Sequence, residues 1–253
     1  MLFTELPFLD RVEAAAQAGF RAVECQSPYE CDARLIADQL NAHGLTMVLH
    51  NLPAGNWAAG ERGIAIFPDR VEEFRSSVAR AIAYAKALGC TRINCLAGIQ
   101  PRDIDETVLT HTFVENLRYA ADALSRSGIC LLIEAINTRD IPGFYLNTSR
   151  QALDVIAATG SSNVFLQYDA YHMHIMEGAF EPALSQNLAS IKHIQIADSP
   201  GRHEPGTGTI DFPALFMRLD ELGYGGWIGC EYNPKTTTVA GLGWLRTHAS
   251  QPT

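Results

Sequence analysis

Apolar and polar positions along this chain change period repeatedly, from the three-to-four-residue spacing of an amphipathic helix to short continuous apolar runs and back again. Leu9, Val12 and Ala16 fall on one face of a helix predicted over residues 8–18, which Gly19 stops. Further helices are predicted over 33–43, 71–88, 107–124, 148–158, 182–189 and 212–222. Between them lie seven strand-like runs, at 20–24, 46–49, 92–96, 130–133, 164–168, 192–196 and 227–230. The Gly/Ala-rich stretch 51–67 is too long for an ordinary connection, which marks it as a functional loop.

Strictly alternating strands and helices are the mark of parallel βα units, and the expected fold class is α/β, a (β/α)8 TIM barrel. The 253 residues suit one such barrel, read as a single domain over 1–253. Eight strands are needed and seven are visible. Either Met1-Leu2-Phe3 is the stub of the first strand, or the start codon lies upstream; the second is expected, because an open seven-stranded barrel exposes two sheet edges. The first strand is thus read as truncated or missing at the N-terminus.

Composition narrows the partners. Hydrophobic residues make up 47% and charged residues 19%, with no apolar run of membrane-spanning length. A formal charge of −9 opposes binding to phosphate backbones, so neither nucleic acid nor membrane is expected as a partner. The six cysteines form no CxxC pair and read as reduced, buried thiols; the N-terminus shows no export signal, and a cytoplasmic protein is the default. A homo-oligomer stays compatible with all of this.

Candidate chemistry lies at the C-terminal ends of the strands, where barrels of this kind carry their reactive groups. Three runs end in Glu134, Asp169 and Glu231, and in a fourth, alternation turns His193 and Gln195 into the barrel. Read alone, any one carboxylate serves as a helix N-cap or a salt-bridge partner. As a set on neighbouring strands they would repel one another unless a cation lay between them, and an all-oxygen donor set suits a divalent Mg2+ or Mn2+. Around them, His50 and His172 are candidates for touching a substrate at the rim. Arg202, in the polar loop 198–208, is placed to clamp a carboxylate, with Lys235 a second anion-binding candidate. The loop 53–63, with its small residues and Trp57, has the composition of a lid. No strand-GxGxxG-helix fingerprint for a dinucleotide is present.

The stretches His50-Asn51-Leu52-Pro53-Ala54-Gly55, Trp57-Ala58-Ala59-Gly60-Glu61-Arg62-Gly63, Ile93-Asn94-Cys95-Leu96-Ala97-Gly98, Glu115-Asn116-Leu117-Arg118-Tyr119-Ala120-Ala121, Gln167-Tyr168-Asp169, His193-Ile194-Gln195-Ile196-Ala197-Asp198 and Gly226-Trp227-Ile228-Gly229-Cys230-Glu231-Tyr232 resemble the hydroxypyruvate isomerase family of the xylose-isomerase-like TIM barrels. The resemblance covers essentially the whole chain. It implies an isomerase acting on a small hydroxy-oxo acid, with Glu134 and Glu231 as the acid/base pair and Glu134, Asp169, Gln195 and Glu231 holding a divalent metal. Relatives within the same subfamily act on 2-oxo-tetronates instead; the 50–53 and 60–63 patterns look more like the hydroxypyruvate branch. Two more distant readings are a metal-dependent phosphodiesterase, which would need a His-rich multi-metal site and a basic groove, and a barrel that binds a ligand without turning it over.

Overall fold

The computed structural model describes residues 1–248. Seven strands form one parallel sheet in chain order: β1 (Ala22–Cys25), β2 (Thr46–Asn51), β3 (Arg92–Cys95), β4 (Cys130–Glu134), β5 (Val164–Asp169), β6 (Ile191–Ile196) and β7 (Ile228–Cys230). Helices α1 (Asp10–Gln17), α2 (Ala33–His43), α3 (Val71–Leu88), α4 (Glu106–Ser125), α5 (Ser149–Thr159), α6 (Ala170–Glu177), α7 (Glu181–Asn187) and α8 (Phe212–Glu221) connect them, and α9 (Gly243–His248) comes last. The α/β barrel expected from the alternation is the observed architecture. Residues 1–3 form no strand, so β1 and β7 are the sheet's edges among the described residues.

Those two edges are nevertheless brought close by the barrel's curvature. Glu24 of β1 accepts a hydrogen bond from Gln195 Nε2 of β6, and a Cβ placed on Gly229 of β7 would lie 2.3 Å from Glu24 Oε2. Only glycine fits there, and the barrel is nearly closed.

Local sequence sets the helix ends. Asp32, Asp105, Thr148 and Asp211 cap their helices by accepting backbone N–H bonds, while Gly44, Gly89 and Gly160 end theirs in the left-handed conformation. Alternation sets the layers. Ile93, Leu131, Ile133, Leu166, Ile194 and Ile196 join the large core between sheet and helices, whereas Leu49, Leu132, Phe165 and Trp227 gather in a small apolar cluster inside the barrel. One interior position further along those strands, polar groups begin. The six cysteines are unpaired thiols, and burial pushes that of Cys90 up to about 11. No described helix is long and apolar enough to cross a membrane.

The folded chain departs from the apolar pattern at two places that bear on the barrel's mouth. Strand β2 runs on to Asn51, so His50 belongs to the strand and not to the rim. Helix α6 begins directly at the end of β5; its apolar residues show no amphipathic period, and four of its first residues, Ala170 to Met173, are buried, which is why periodicity does not announce it.

Candidate active site

Glu134, Asp169 and Glu231 converge at the C-terminal mouth of the barrel. One carboxylate oxygen from each, together with a ring nitrogen of His172, lies within 4.8 Å of the others, and all four residues are buried. It is the one cluster of this kind among the described residues. Arg202 closes one side, its Nη2 2.5 Å from Glu231 Oε2 and 3.6 Å from Asp169 Oδ2. Three carboxylates therefore face one guanidinium in a site removed from water.

The electrostatic consequence is uneven. Burial, reinforced by Glu231 and Asp169, pushes the Glu134 carboxyl well above its usual range. Asp169 is also raised by burial, although Arg202 and the backbone N–H groups of Tyr171 and His172 work against the rise. Burial opposes the charge on Arg202, but Glu231, Asp169 and Glu134 more than restore it. Asp169 shows why a cap and a site are not alternatives: Oδ1 accepts from the Tyr171 N–H at the start of α6, while Oδ2 is buried without a hydrogen-bond partner. A buried carboxylate oxygen that no hydrogen bond satisfies, beside two further carboxylates, fits a cation of hard character.

His172 is fixed by its neighbours. Asn137 Oδ1 accepts the backbone N–H groups of Arg139 and Asp140, which turns its Nδ2 toward His172 Nδ1 at 2.6 Å. An amide N–H donates, so Nδ1 accepts and the imidazole proton sits on Nε2. Burial, then the charge of Arg202, push this imidazole down to about 3, leaving it neutral at ordinary pH. Nε2 points between the carboxylates, 3.4 Å from Asp169 Oδ2 and 3.8 Å from Glu134 Oε1. In this tautomer it is a donor to an oxygen and not a ligand lone pair.

Gln195 stands beside Asp169 in the strand register. Its Nε2 donates to Glu24 Oε1 at 2.8 Å and its Oε1 accepts from Gln167 Nε2 at 2.5 Å, so the orientation of the amide is set from both ends. The oxygen keeps a second lone pair. Beneath it, His193 Nε2 meets Glu24 Oε2 at 2.5 Å.

The two remaining predicted contacts are placed elsewhere. Because Asn51 hydrogen-bonds Asn94, which in turn donates to Glu134 Oε2, Asn51 faces the interior and His50 faces the opposite way. There His50 is fully buried, edge-on to Tyr29, with Nδ1 3.1 Å from the Tyr29 hydroxyl. The structure thus corrects the expectation of a rim histidine: the strand is longer than its apolar run, and the extra length puts the ring on the outer face. Lys235 is exposed, and its bond to the neighbouring loop is made by its backbone N–H to Glu204 Oε2. In the loop 53–63, Trp57 is exposed with the Arg62 guanidinium 3.9 Å over its ring, and Glu61 pairs with Arg70.

Three further groups, not among the site candidates named from the sequence, hold the site. Gln26 Nε2 donates to Glu231 Oε1 at 2.5 Å, Asn94 supports Glu134, and Asn137 orients His172. Asn94 carries a signal, a polar residue at an inward position of an apolar strand. Gln26 and Asn137 lie in loops and carry none.

Comparison with known proteins agrees with this geometry. The sequence profile described as Xylose isomerase-like TIM barrel matches residues 12–248. The chain is 53% identical to hydroxypyruvate isomerase of Escherichia coli (strain K12) over 245 residues, which is 97% of this chain and 95% of that protein. It is 47% identical to 2-oxo-tetronate isomerase of Cupriavidus necator over 248 residues, 98% and 95% of the two chains. A crystal structure of AP endonuclease, family 2 from Brucella melitensis superposes with a TM-score of 0.95 at 43% identity, covering 98% of this chain and 95% of that one. With a profile spanning nearly all the described residues and relatives this similar along their whole length, the chain belongs to the xylose isomerase-like TIM barrel family.

Proposed function

We propose that the protein is an isomerase that interconverts hydroxypyruvate and tartronate semialdehyde, using Glu134 and Glu231 as a proton-transferring pair and a divalent ion, Mg2+ or Mn2+, held by Glu134, Asp169, Gln195 and Glu231. The observation that carries the reading is the buried convergence of three carboxylates in which Asp169 Oδ2 has no hydrogen-bond partner. The identity to the hydroxypyruvate isomerase supports the three-carbon substrate.

The two compounds differ by the position of a carbonyl. One glutamate takes a proton from C3, leaving a cis-enediolate, and the other delivers a proton to C2; the hydroxyl proton passes from the C3 oxygen to the C2 oxygen, so no atom or electron is gained or lost. Such acid–base help is worth on the order of 10²- to 10⁴-fold. When bound, the divalent ion supplies electrostatic stabilisation of the negative charge that develops on the enediolate. His172 serves as a neutral Nε2–H donor to a substrate oxygen, and Arg202 receives the substrate carboxylate. Burial keeps bulk water from the carbanion-like centre.

The 2-oxo-tetronate isomerase reading, supported by the Cupriavidus relative, shares every one of these groups and differs in the length of the substrate. The phosphodiesterase reading is disfavoured: the described cluster carries a single histidine, and the chain's formal charge is −9. The test is to strip the purified protein with chelator, restore Mg2+ or Mn2+, and measure rates on hydroxypyruvate and on a four-carbon 2-oxo acid. Loss and recovery of activity, with hydroxypyruvate the faster substrate, is expected. Full activity after chelation would remove the metal from the reading, and a faster four-carbon reaction would move the protein to the other branch.

A further inference from the structure

Among the described residues Arg202 is the one cation at the mouth, yet it sits on a loop, and its backbone adopts a left-handed conformation (φ 55°) that residues with a Cβ seldom take. Gly201 before it is left-handed as well (φ 101°). Two successive residues of this kind make a tight reversal that is unfavourable for an arginine and persists only when its surroundings dictate it.

Asp198 is what dictates it. This residue lies two positions beyond β6, fully buried, and takes no part in the carboxylate cluster. Its Oδ1 accepts the backbone N–H groups of Ser199 (2.8 Å) and Ile210 (3.1 Å), and its Oδ2 those of Gly206 and Gly208 (both 2.8 Å). Its own N–H donates to His203 O at 2.8 Å, closing the reversal that presents Arg202. The loop is wrapped so closely around the carboxylate that a Cβ on Gly208 would come within 2.5 Å of Asp198 Oδ1 and 2.2 Å of Ser199 O. On its far side the loop is tied to the segment after β7, where the Asn233 N–H donates to Arg202 O at 2.8 Å. Four N–H donors aimed at one buried carboxylate leave the loop a single low-energy shape.

We propose that Asp198 is a positioning residue for substrate recognition: by gathering four loop N–H groups it holds Arg202 at the mouth in a strained conformation, ready to pair with the carboxylate of the substrate, and so sets the affinity for the anionic substrate without touching the reacting atoms. The inference rests on the reading that Arg202 receives that carboxylate. An amide at position 198 keeps the shape but turns an NH2 group toward two of the four donors, which loosens the loop and leaves the glutamates in place.

The test is a double-mutant cycle on the metal-loaded protein with hydroxypyruvate, using Asp198→Asn, Arg202→Gln and the pair together. Asp198→Asn should raise KM about tenfold and change kcat less than about threefold, Arg202→Gln should raise KM further, and Asp198→Asn should add less than about twofold to KM once Arg202 is gone. A fold defect unconnected with Arg202 would instead multiply through the cycle, and that result overturns the proposal. An unchanged KM in Asp198→Asn beside a raised KM in Arg202→Gln also overturns it, while sparing the role of Arg202. An unchanged KM in Arg202→Gln sinks the underlying reading and the proposal with it. Should Asp198→Asn fail to fold, Gly206→Ala, which has open space for its Cβ but strains the left-handed residue (φ 89°) whose N–H donates to Asp198 Oδ2, replaces it in the cycle with the same expectations.

Discussion

Two polar layers lie one interior residue apart in this barrel, and both set a glutamate beside a buried histidine. In the deeper one, Glu24 is answered by His193 at 2.5 Å and by the Gln195 amide at 2.8 Å. Burial pushes its carboxyl up, but those two partners bring the balance below the usual range, so it is stably charged and satisfied. At the mouth, three carboxylates share one arginine and a neutral histidine, Glu134 is driven well above its usual range, and Asp169 Oδ2 has no hydrogen-bond donor. Identical side-chain types thus do opposite work. A closed, paired layer supports the wall; a layer left with excess negative charge is destabilising by itself and is kept for chemistry.

The sharpest way to break that contrast is to neutralise each layer in turn. Glu231→Gln at the mouth should leave the circular dichroism spectrum unchanged and lower turnover by about 10³-fold or more, the size expected for loss of an acid–base group. A variant with near-normal turnover would take Glu231 out of the proton path and reduce the mouth to a second structural layer.

Next in size is Glu24→Leu in the deeper layer. It strands His193 Nε2 and Gln195 Nε2, two buried donors, and should cost about 2–4 kcal/mol of stability. Urea unfolding with an unchanged slope and a lower midpoint is the expected record. An unshifted midpoint would mean that Glu24 and His193 are incidental to the wall.

The mouth should respond in the other direction. Folded Glu134 holds its proton to higher pH than a glutamate in the unfolded chain, whose value lies near 4.5, so raising the pH through and above that value progressively favours unfolding. Glu134→Gln removes this penalty. In chelator the variant should unfold at a higher urea concentration than the parent, by on the order of 1 kcal/mol, with the difference growing as the pH rises above the unfolded value and vanishing in acid. With Mg2+ or Mn2+ added the order should reverse, because the variant has lost a ligand. A difference independent of pH would show that the raised carboxyl is not what sets the balance.

How much of this is legible in the sequence depends on the same physics. The alternation of helices and strands dictates the barrel, and strand ends yield Glu134, Asp169, Gln195 and Glu231, because period-two alternation is a local rule. His50 fails on that very rule: moving the end of β2 from Leu49 to Asn51 changes a rim residue into a wall residue facing Tyr29. Helix α6 escapes prediction because its first turns are buried all round and carry no amphipathic stripe. Gln26, Asn137 and Asp198 act through contacts across loops, and no local pattern encodes which backbone N–H a buried carboxylate or amide will meet.

The smallest effect separates the mouth from its rim. Arg202 and Lys235 are both candidates by sequence for the substrate carboxylate, and they differ in what surrounds them. The guanidinium lies among buried carboxylates and is itself largely withdrawn from water, whereas Lys235 stands in solvent, joined to its neighbours through its backbone N–H. An exposed charge acts through high dielectric and mobile counter-ions, and its pull on a small anion is worth about a factor of two at most. Lys235→Ala should therefore change KM for hydroxypyruvate by less than about twofold, and that small change should fade as salt is raised. A tenfold rise that persists at high salt would place the ammonium inside the closed site with substrate bound, and the boundary between a desolvated mouth and a solvated rim would have to be redrawn to include the segment after β7.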